Sequence, residues 1–224
     1  MSEGGDLDVI SVIGHELRRP LTVIRGAATL MLDMEGTMPT DKALQMLGMI
    51  DHNVEEMADL IEDMLLLVHL QAGDLSLFME KVDVAEMVST AVEIEGRRLG
   101  DRPLTMLGAA PGLVAQADRG RTIRALRALI ANAVRFSPEG SPIEISITTD
   151  ADAVQIEVND RGPGIPAAER EAAFERYRKL DEGPGLGIGL YLVRGLARAM
   201  GGDAGAAERP GGGATVWFTL ARRG

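Results

Sequence analysis

The chain contains no cysteine, so neither a disulfide framework nor a thiolate metal site is possible, and the composition suits a reducing interior. Basic charge is short as well: 23 Lys and Arg stand against 34 Asp and Glu, a formal net charge of −11. No basic patch is available to neutralise a phosphate backbone, so no nucleic-acid partner is expected. No apolar run approaches the ~18 residues that a membrane-spanning helix needs, and the opening MSEGGDLD has neither the basic nor the apolar region of a signal peptide. The expectation is a cytoplasmic chain with no membrane segment, or the soluble part of a longer protein. Internal repeats and low-complexity tracts are also absent. What is present is 224 residues, 46% of them hydrophobic, enough to bury a real core in one large or two small domains.

A heptad opens the chain. With Ile10 at position a, the residues Ile13, Leu17, Pro20, Ile24, Ala27 and Met31 fall alternately at d and a, an apolar stripe at helical spacing. This helix is expected to stop near Glu35-Gly36-Thr37-Met38-Pro39, and Thr40-Asp41 offers a capped, negatively charged start to the next one. A second heptad runs through Leu47, Ile50, Val54, Met57, Ile61, Met64 and Val68 and ends near Ala72-Gly73-Asp74. Two long helices joined by a short turn make an antiparallel hairpin. Such broad apolar faces stay wet in a lone hairpin, which points to dimerisation into a four-helix bundle.

After Gly73 the pattern changes. Asp83 with Glu86 three residues on is an acidic variant of the capping box, opening a helix through Val84, Met87, Val88, Ala91 and Val92. Another helix spans about Arg119 to Phe136. Ile143, Ile145 and Ile147, then Val154, Ile156 and Val158, alternate with polar residues as two antiparallel strands around a turn at 150–152, and Val216, Phe218 and Leu220 repeat the pattern. Leu190 to Met200 reads as helix, stopped by Gly201-Gly202. The expected fold class is α+β: a helical hairpin over residues 1–75, then an α/β sandwich over residues 82–224.

Several residues carry chemistry. His15 falls at heptad position f, the point most remote from the a/d seam, so its ring should face solvent, and Glu16 beside it is able to orient or deprotonate the imidazole. Pro20 inside the helix costs ~3 kcal/mol. A solvated surface histidine near an incidental kink explains these residues equally well. Asn159-Asp160-Arg161-Gly162-Pro163-Gly164-Ile165 follows a strand, offering a carboxylate for an exocyclic amine such as that of adenine and glycines that admit a flat ligand. Gly183-Pro184-Gly185-Leu186-Gly187-Ile188-Gly189 leads into a helix, where free amides suit phosphate oxygens; a flexible connector is the plain alternative. Asn132 interrupts an apolar helical stretch, where a buried amide must be paired or bind something, and its carbonyl oxygen suits Mg²⁺. His52 and His69 are assigned no role.

Taken together these segments resemble the H, N, G1 and G2 boxes of the sensor histidine kinases of two-component systems. The H box corresponds to Ser11–Thr22, the N box to Ala128–Pro138, and G1 and G2 to the two glycine motifs; Phe174-Glu175-Arg176-Tyr177 resembles the F box. The resemblance covers nearly the whole chain, in the family's order. It implies a dimerisation and phosphotransfer hairpin followed by a Bergerat-type ATP-binding domain. His15 matches the phosphoacceptor, Glu16 the adjacent acid/base residue, Asn132 the Mg²⁺ ligand and Asp160 the adenine carboxylate. Gly162 and Gly164 match the glycines beside adenine, and Gly183, Gly185 and Gly187 those on the phosphate side. Arg135 and Lys179 lie where the family has basic residues near the phosphates. ATP and Mg²⁺ are then the implied cofactors, and a second copy of the chain and a response-regulator receiver domain the implied partners.

The departures have consequences too. Arg19 stands where the family commonly has Thr or Asn implicated in dephosphorylating the regulator, which tells against phosphatase activity. Ala128 replaces the usual Asn, and the related gyrase, chaperone and mismatch-repair ATPases carry a Glu there as a base for water; efficient ATP hydrolysis is not expected. The loop between Phe174 and Gly183 is short, and Pro184 replaces a frequent Thr. The alternative to an autokinase is a non-catalytic dimeric scaffold with a degenerate nucleotide site. A nicotinamide-binding loop is disfavoured, because the glycines do not follow a strand in a βαβ unit.

Overall fold

The computed structural model describes residues 3–34, 36–108, 110, 112–181, 183 and 185–222, with side chains from Ser11 onward. Glu35, Pro184 and the side chain of Ile10, all used above, lie outside the described residues. The chain divides into two compact units, residues 1–69 with 181–186 and residues 70–180 with 187–224.

In the first unit, α1 (Glu3–Asp33) and α2 (Thr40–Ala72) are the two expected helices. Thr40 is the first residue of α2 rather than a flanking cap, a one-residue difference of the kind helix ends show. Pro20 lies within α1 and is buried. Its missing N–H deprives the Glu16 carbonyl of its helical partner, and two residues on the Thr22 hydroxyl donates back to the Arg18 carbonyl at 2.8 Å. The helix nevertheless runs unbroken through Pro20. Few hairpin side chains are buried, among them Ala27, Leu66 and Leu67, whereas Leu21, Leu32, Leu44, Val54, Leu65 and Val68 remain exposed.

The second unit begins with β1 (Met79–Asp83), α3 (Val84–Ile94) and the single turn α4 (Gly96–Leu99). β2 (Leu104–Leu107) and β3 (Val114–Asp118) precede α5 (Arg119–Phe136), and β4 (Ile143–Thr149) pairs with β5 (Ala153–Asn159). α6 (Gly189–Ala199), β6 (Ala204–Glu208) and β7 (Ala214–Ala221) follow. The sheet runs β1-β3-β7-β5-β4-β2, with β6 added on β7. It is antiparallel except where β2 lies parallel to β4. β7 pairs with β5 on one side and with β6 and β3 on the other.

Local sequence explains the elements. The Asp83 carboxylate accepts the Glu86 amide at 3.1 Å and caps α3, and Asp118 accepts the Arg121 amide at 3.0 Å and caps α5. In the β4–β5 turn, Asp150 Oδ1 takes the amides of Asp152 and Ala153 at 2.9 and 2.8 Å. Met87, Val88, Leu126, Leu129, Ile130, Val193 and Leu196 from the helices and Ile143, Ile145, Ile156, Phe218 and Leu220 from the sheet form the core. Charge enters it at Glu95, which is buried and held by Arg98 at 2.8 Å and Arg127 at 2.7 Å, joining the end of α3 to α5.

The short strands β1, β2, β3 and β6 were not apparent from the sequence pattern. They are rich in Ala and Gly or only four or five residues long. Their pairing comes from their neighbours, not from their own propensity.

Candidate functional site

Asp160 directly follows β5 and is 6% exposed. Its Oδ1 accepts two backbone amides, from Gly162 at 2.7 Å and from Ala214 at 3.1 Å. The Asp160 amide donates in turn to the Ala214 carbonyl at 2.9 Å. The carboxylate is therefore fixed from both sides, by its own turn and by the first residue of β7. Oδ2 accepts no hydrogen bond among the described residues.

The surrounding glycines make this closeness possible. A Cβ on Gly162 would stand 2.7 Å from the Phe136 carbonyl oxygen. Gly213, at φ 101°, carries its α-carbon against the Asp160 carbonyl, where any side chain would overlap that oxygen. The Arg161 amide donates to the Ser137 hydroxyl at 3.1 Å, tying the turn to the end of α5. One turn earlier on α5 lies Asn132. It is half-buried rather than buried, and its side chain makes no hydrogen bond among the described residues, so the desolvation argument for a ligand there is weaker than the sequence suggested. Arg135 is exposed, its guanidinium 4.9 Å from the Phe136 ring centroid.

Gly164 is in the left-handed region and packs against the Gly213 carbonyl. Gly187 lies where a Cβ would come 2.8 Å from the Arg178 carbonyl oxygen and 2.9 Å from Lys179 Cγ, so Lys179 and the third glycine of the loop are neighbours. All of these residues belong to the second unit.

The first unit holds the rest. The His15 side chain is 76% exposed, and its Nδ1 stands 3.9 Å from Oε1 of Glu16, whose own side chain is 13% exposed. Glu16 Oε2 accepts the Gly185 amide at 2.8 Å. Gly183 and Gly185 are part of the Asp181–Leu186 segment that clusters with the hairpin. The site residues expected from sequence thus form two groups: His15, Glu16, Gly183 and Gly185 in one, Asn132, Arg135, Asp160, Gly162, Gly164, Lys179 and Gly187 in the other. Among the described residues no group of three or more His, Cys, Asp or Glu side chains could hold a metal ion.

Sequence reasoning missed Ser137, Gly213 and Ala214. The run Gly211-Gly212-Gly213 before a strand was a visible signal for a close backbone approach. Nothing local marked its target as Asp160.

Two family models match the chain. Residues 7–73 match the His Kinase A (phospho-acceptor) domain, and residues 117–224 match the histidine kinase-, DNA gyrase B-, and HSP90-like ATPase domain. A sensor protein KdpD from Rathayibacter rathayi is 41% identical over 165 residues, covering 72% of this chain and 19% of the relative. The histidine kinase AdeS of Acinetobacter baumannii matches 92% of this chain and 96% of its own at a TM-score of 0.64 and 26% identity. Full-length ShkA, solved in complex with AMPPNP, matches 95% of this chain and 45% of its own at a TM-score of 0.66 and 25% identity. The chain spans about a fifth of the KdpD relative's length, and no helix among the described residues is long and apolar enough to cross a membrane.

Proposed function

The chain belongs to the sensor histidine kinases, and from that premise we propose that it is an ATP-dependent autokinase that phosphorylates His15 and passes the phosphoryl group to an aspartate of a response regulator. The observation that carries this reading is the Asp160 carboxylate. Buried, with Oδ1 locked by two amides and Oδ2 left as acceptor, it is prepared to take a hydrogen bond from the exocyclic amine of adenine. Gly162 and Gly213 permit the close backbone approach that brings those two amides to it.

In this reading residues 1–75 carry the phosphoacceptor and residues 82–224 bind the nucleotide. Asp160, Gly162 and Gly164 hold the adenine, while Gly183, Gly185, Gly187, Arg135 and Lys179 meet the phosphates. Asn132 suits Mg²⁺, since its amide oxygen has no partner among the described residues and this hard ion takes few protein ligands. The ion would neutralise charge on the phosphates. The exposed His15 ring supplies the nucleophile: with Nδ1 toward Glu16, the Nε2 lone pair attacks the γ-phosphorus. The bond from that phosphorus to the bridging oxygen breaks, and ADP leaves with the electron pair. Glu16 balances the positive charge of the imidazolium, as an orienting acid/base residue. In the second transfer a regulator carboxylate oxygen attacks the phosphorus and the N–P electron pair returns to Nε2. The exposed leucines and valines of the hairpin support a dimer of this chain.

The test is label transfer from γ-labelled ATP with Mg²⁺, comparing the wild-type chain with His15→Gln and Asp160→Asn. Acid-labile, base-stable label that needs both residues is the expected result. No label despite measurable nucleotide binding would favour the scaffold.

A further inference from the structure

The loop expected to close over the nucleotide buries little of its own surface, although its Gly185 amide donates to Glu16. Glu175 through Asp181 are all exposed, and no described residue between Phe174 and Leu186 is buried. Tyr177 in this stretch adopts a left-handed backbone at φ 62°, which a bulky residue holds only at a cost. Two elements of the second unit flank the loop. One end is a 3-10 turn, Ala172–Phe174, and the other is α6.

One side chain links them. Arg194, in the middle of α6, has a side chain that is only 13% exposed. Its guanidinium lies over the Phe174 ring, 4.0 Å from the centroid, and Phe174 is itself 3% exposed. Nη1 and Nη2 donate to the two carboxylate oxygens of Glu171 at 2.5 and 3.2 Å. Nε donates to the Ala204 carbonyl at 3.0 Å, at the start of β6, and stands 3.7 Å from Asp203 Oδ1. A cation this far from water requires such a set of acceptors. A ring stacked under a planar fork that also grips a carboxylate is an arrangement lysine cannot reproduce. The Glu171 carboxyl is held below its ordinary value chiefly by the hydrogen bond from Arg194.

We propose that Arg194 is a positioning residue for the nucleotide loop: by fixing Phe174 to α6 it sets the separation of the loop's ends, and with it the presentation of the glycine amides and Lys179 to the phosphates. The inference rests on the nucleotide-site reading given above. It assigns to Arg194 no contact with the substrate. The adenine end of the site, built from Asp160, Gly162 and Gly213, is held by a different set of bonds and does not depend on this clamp.

Arg194→Met tests the assignment, because methionine keeps an aliphatic stem against Phe174, and the released Glu171 is exposed and readily solvated. Two measurements use the full chain: backbone hydrogen exchange without nucleotide, and equilibrium binding of adenosine and of a non-hydrolysable ATP analogue. In Arg194→Met, exchange of the hydrogen-bonded amides at the loop's two ends, those of Phe174, Glu175 and Leu192, should rise by about tenfold while α5 and the central strands keep their protection, the scale of one lost charged contact. Affinity for the triphosphate analogue should fall by about tenfold with that for adenosine held. Arg194→Lys should restore the melting temperature without restoring protection at the loop's ends. Unchanged exchange of those amides, a loosening spread evenly over the sheet, or equal loss of both ligands would overturn the positioning role. A wild-type chain that binds neither ligand would retire the nucleotide reading instead, and hydrogen exchange would still decide for or against the clamp.

Discussion

The hairpin and the sandwich solve the problem of burial in opposite ways. In the hairpin, leucines and valines of both helices stay exposed, and only a few side chains such as Ala27, Leu66 and Leu67 are buried. In the sandwich, three helices cover one face of a seven-stranded sheet, and Phe218, Leu220, Ile145 and Ile156 are completely enclosed. The first region leaves much of its apolar surface open among the described residues; the second carries its own core. The apolar period that makes a helix legible in a sequence is thus no measure of how much that helix buries within its own chain.

The strongest way to break this contrast is to empty the sandwich core. Phe218→Ala should destabilise the second unit by about 3–5 kcal/mol, seen as a denaturation midpoint that falls equally at every protein concentration. Asp160→Asn comes next: it keeps an oxygen for the Gly162 and Ala214 amides but turns a donor toward the exocyclic amine, and nucleotide affinity should drop by about 10²-fold or more with the melting temperature nearly unchanged. In the hairpin, Ile61→Glu should leave the sandwich and its nucleotide binding intact and shift the sedimentation of the chain toward monomer. A hairpin mutant that lowered the sandwich midpoint as Phe218→Ala does would erase the distinction.

The smallest expected effect is that of acid on the surface ion pairs of the sandwich. Glu171 is held below its ordinary value first by the Arg194 hydrogen bond, and Asp203 first by that of Arg198. A folded value below the unfolded one means that the stabilisation is complete above the unfolded value and is lost as pH falls through the folded one. The melting temperature should therefore be level down to about pH 5 and decline below about pH 4. Arg194→Met should flatten part of that decline.

The α+β class, both hairpin helices, α5, and the β4–β5 pair were legible because each repeats an apolar residue at its own period. Asp83 as a cap was legible too, because the bond it makes is local. β3 and β6 were not. Ala115, Ala117 and Ala204 are fully buried yet carry no hydrophobic contrast with their neighbours, and Gly205 sits in a strand because the Trp217 ring lies across its α-carbon. At the site, the sequence offered Asp160 as a carboxylate followed by two glycines. It could not offer the partner of Asp160 Oδ1, since Ala214 is an ordinary residue whose contribution is a backbone amide. Arg194 was invisible for a similar reason: its meaning lies in Phe174 and Glu171, which approach it only after the sheet has formed.

Because β7 lies inside the sheet, between β5 and the β6 and β3 strands, the order of synthesis matters. Ala214 is 54 residues beyond the carboxylate it fixes. At roughly 5–20 residues per second, a ribosome that has made Asp160 needs about 3 to 11 s before the amide that locks it exists. During that interval β5 presents an open edge, and the Asp160 carboxylate has one of its two backbone donors. The setting of Asp160 is therefore a late product of translation, and a nascent chain stalled before β7 would hold both hairpin helices complete with that carboxylate only half fixed.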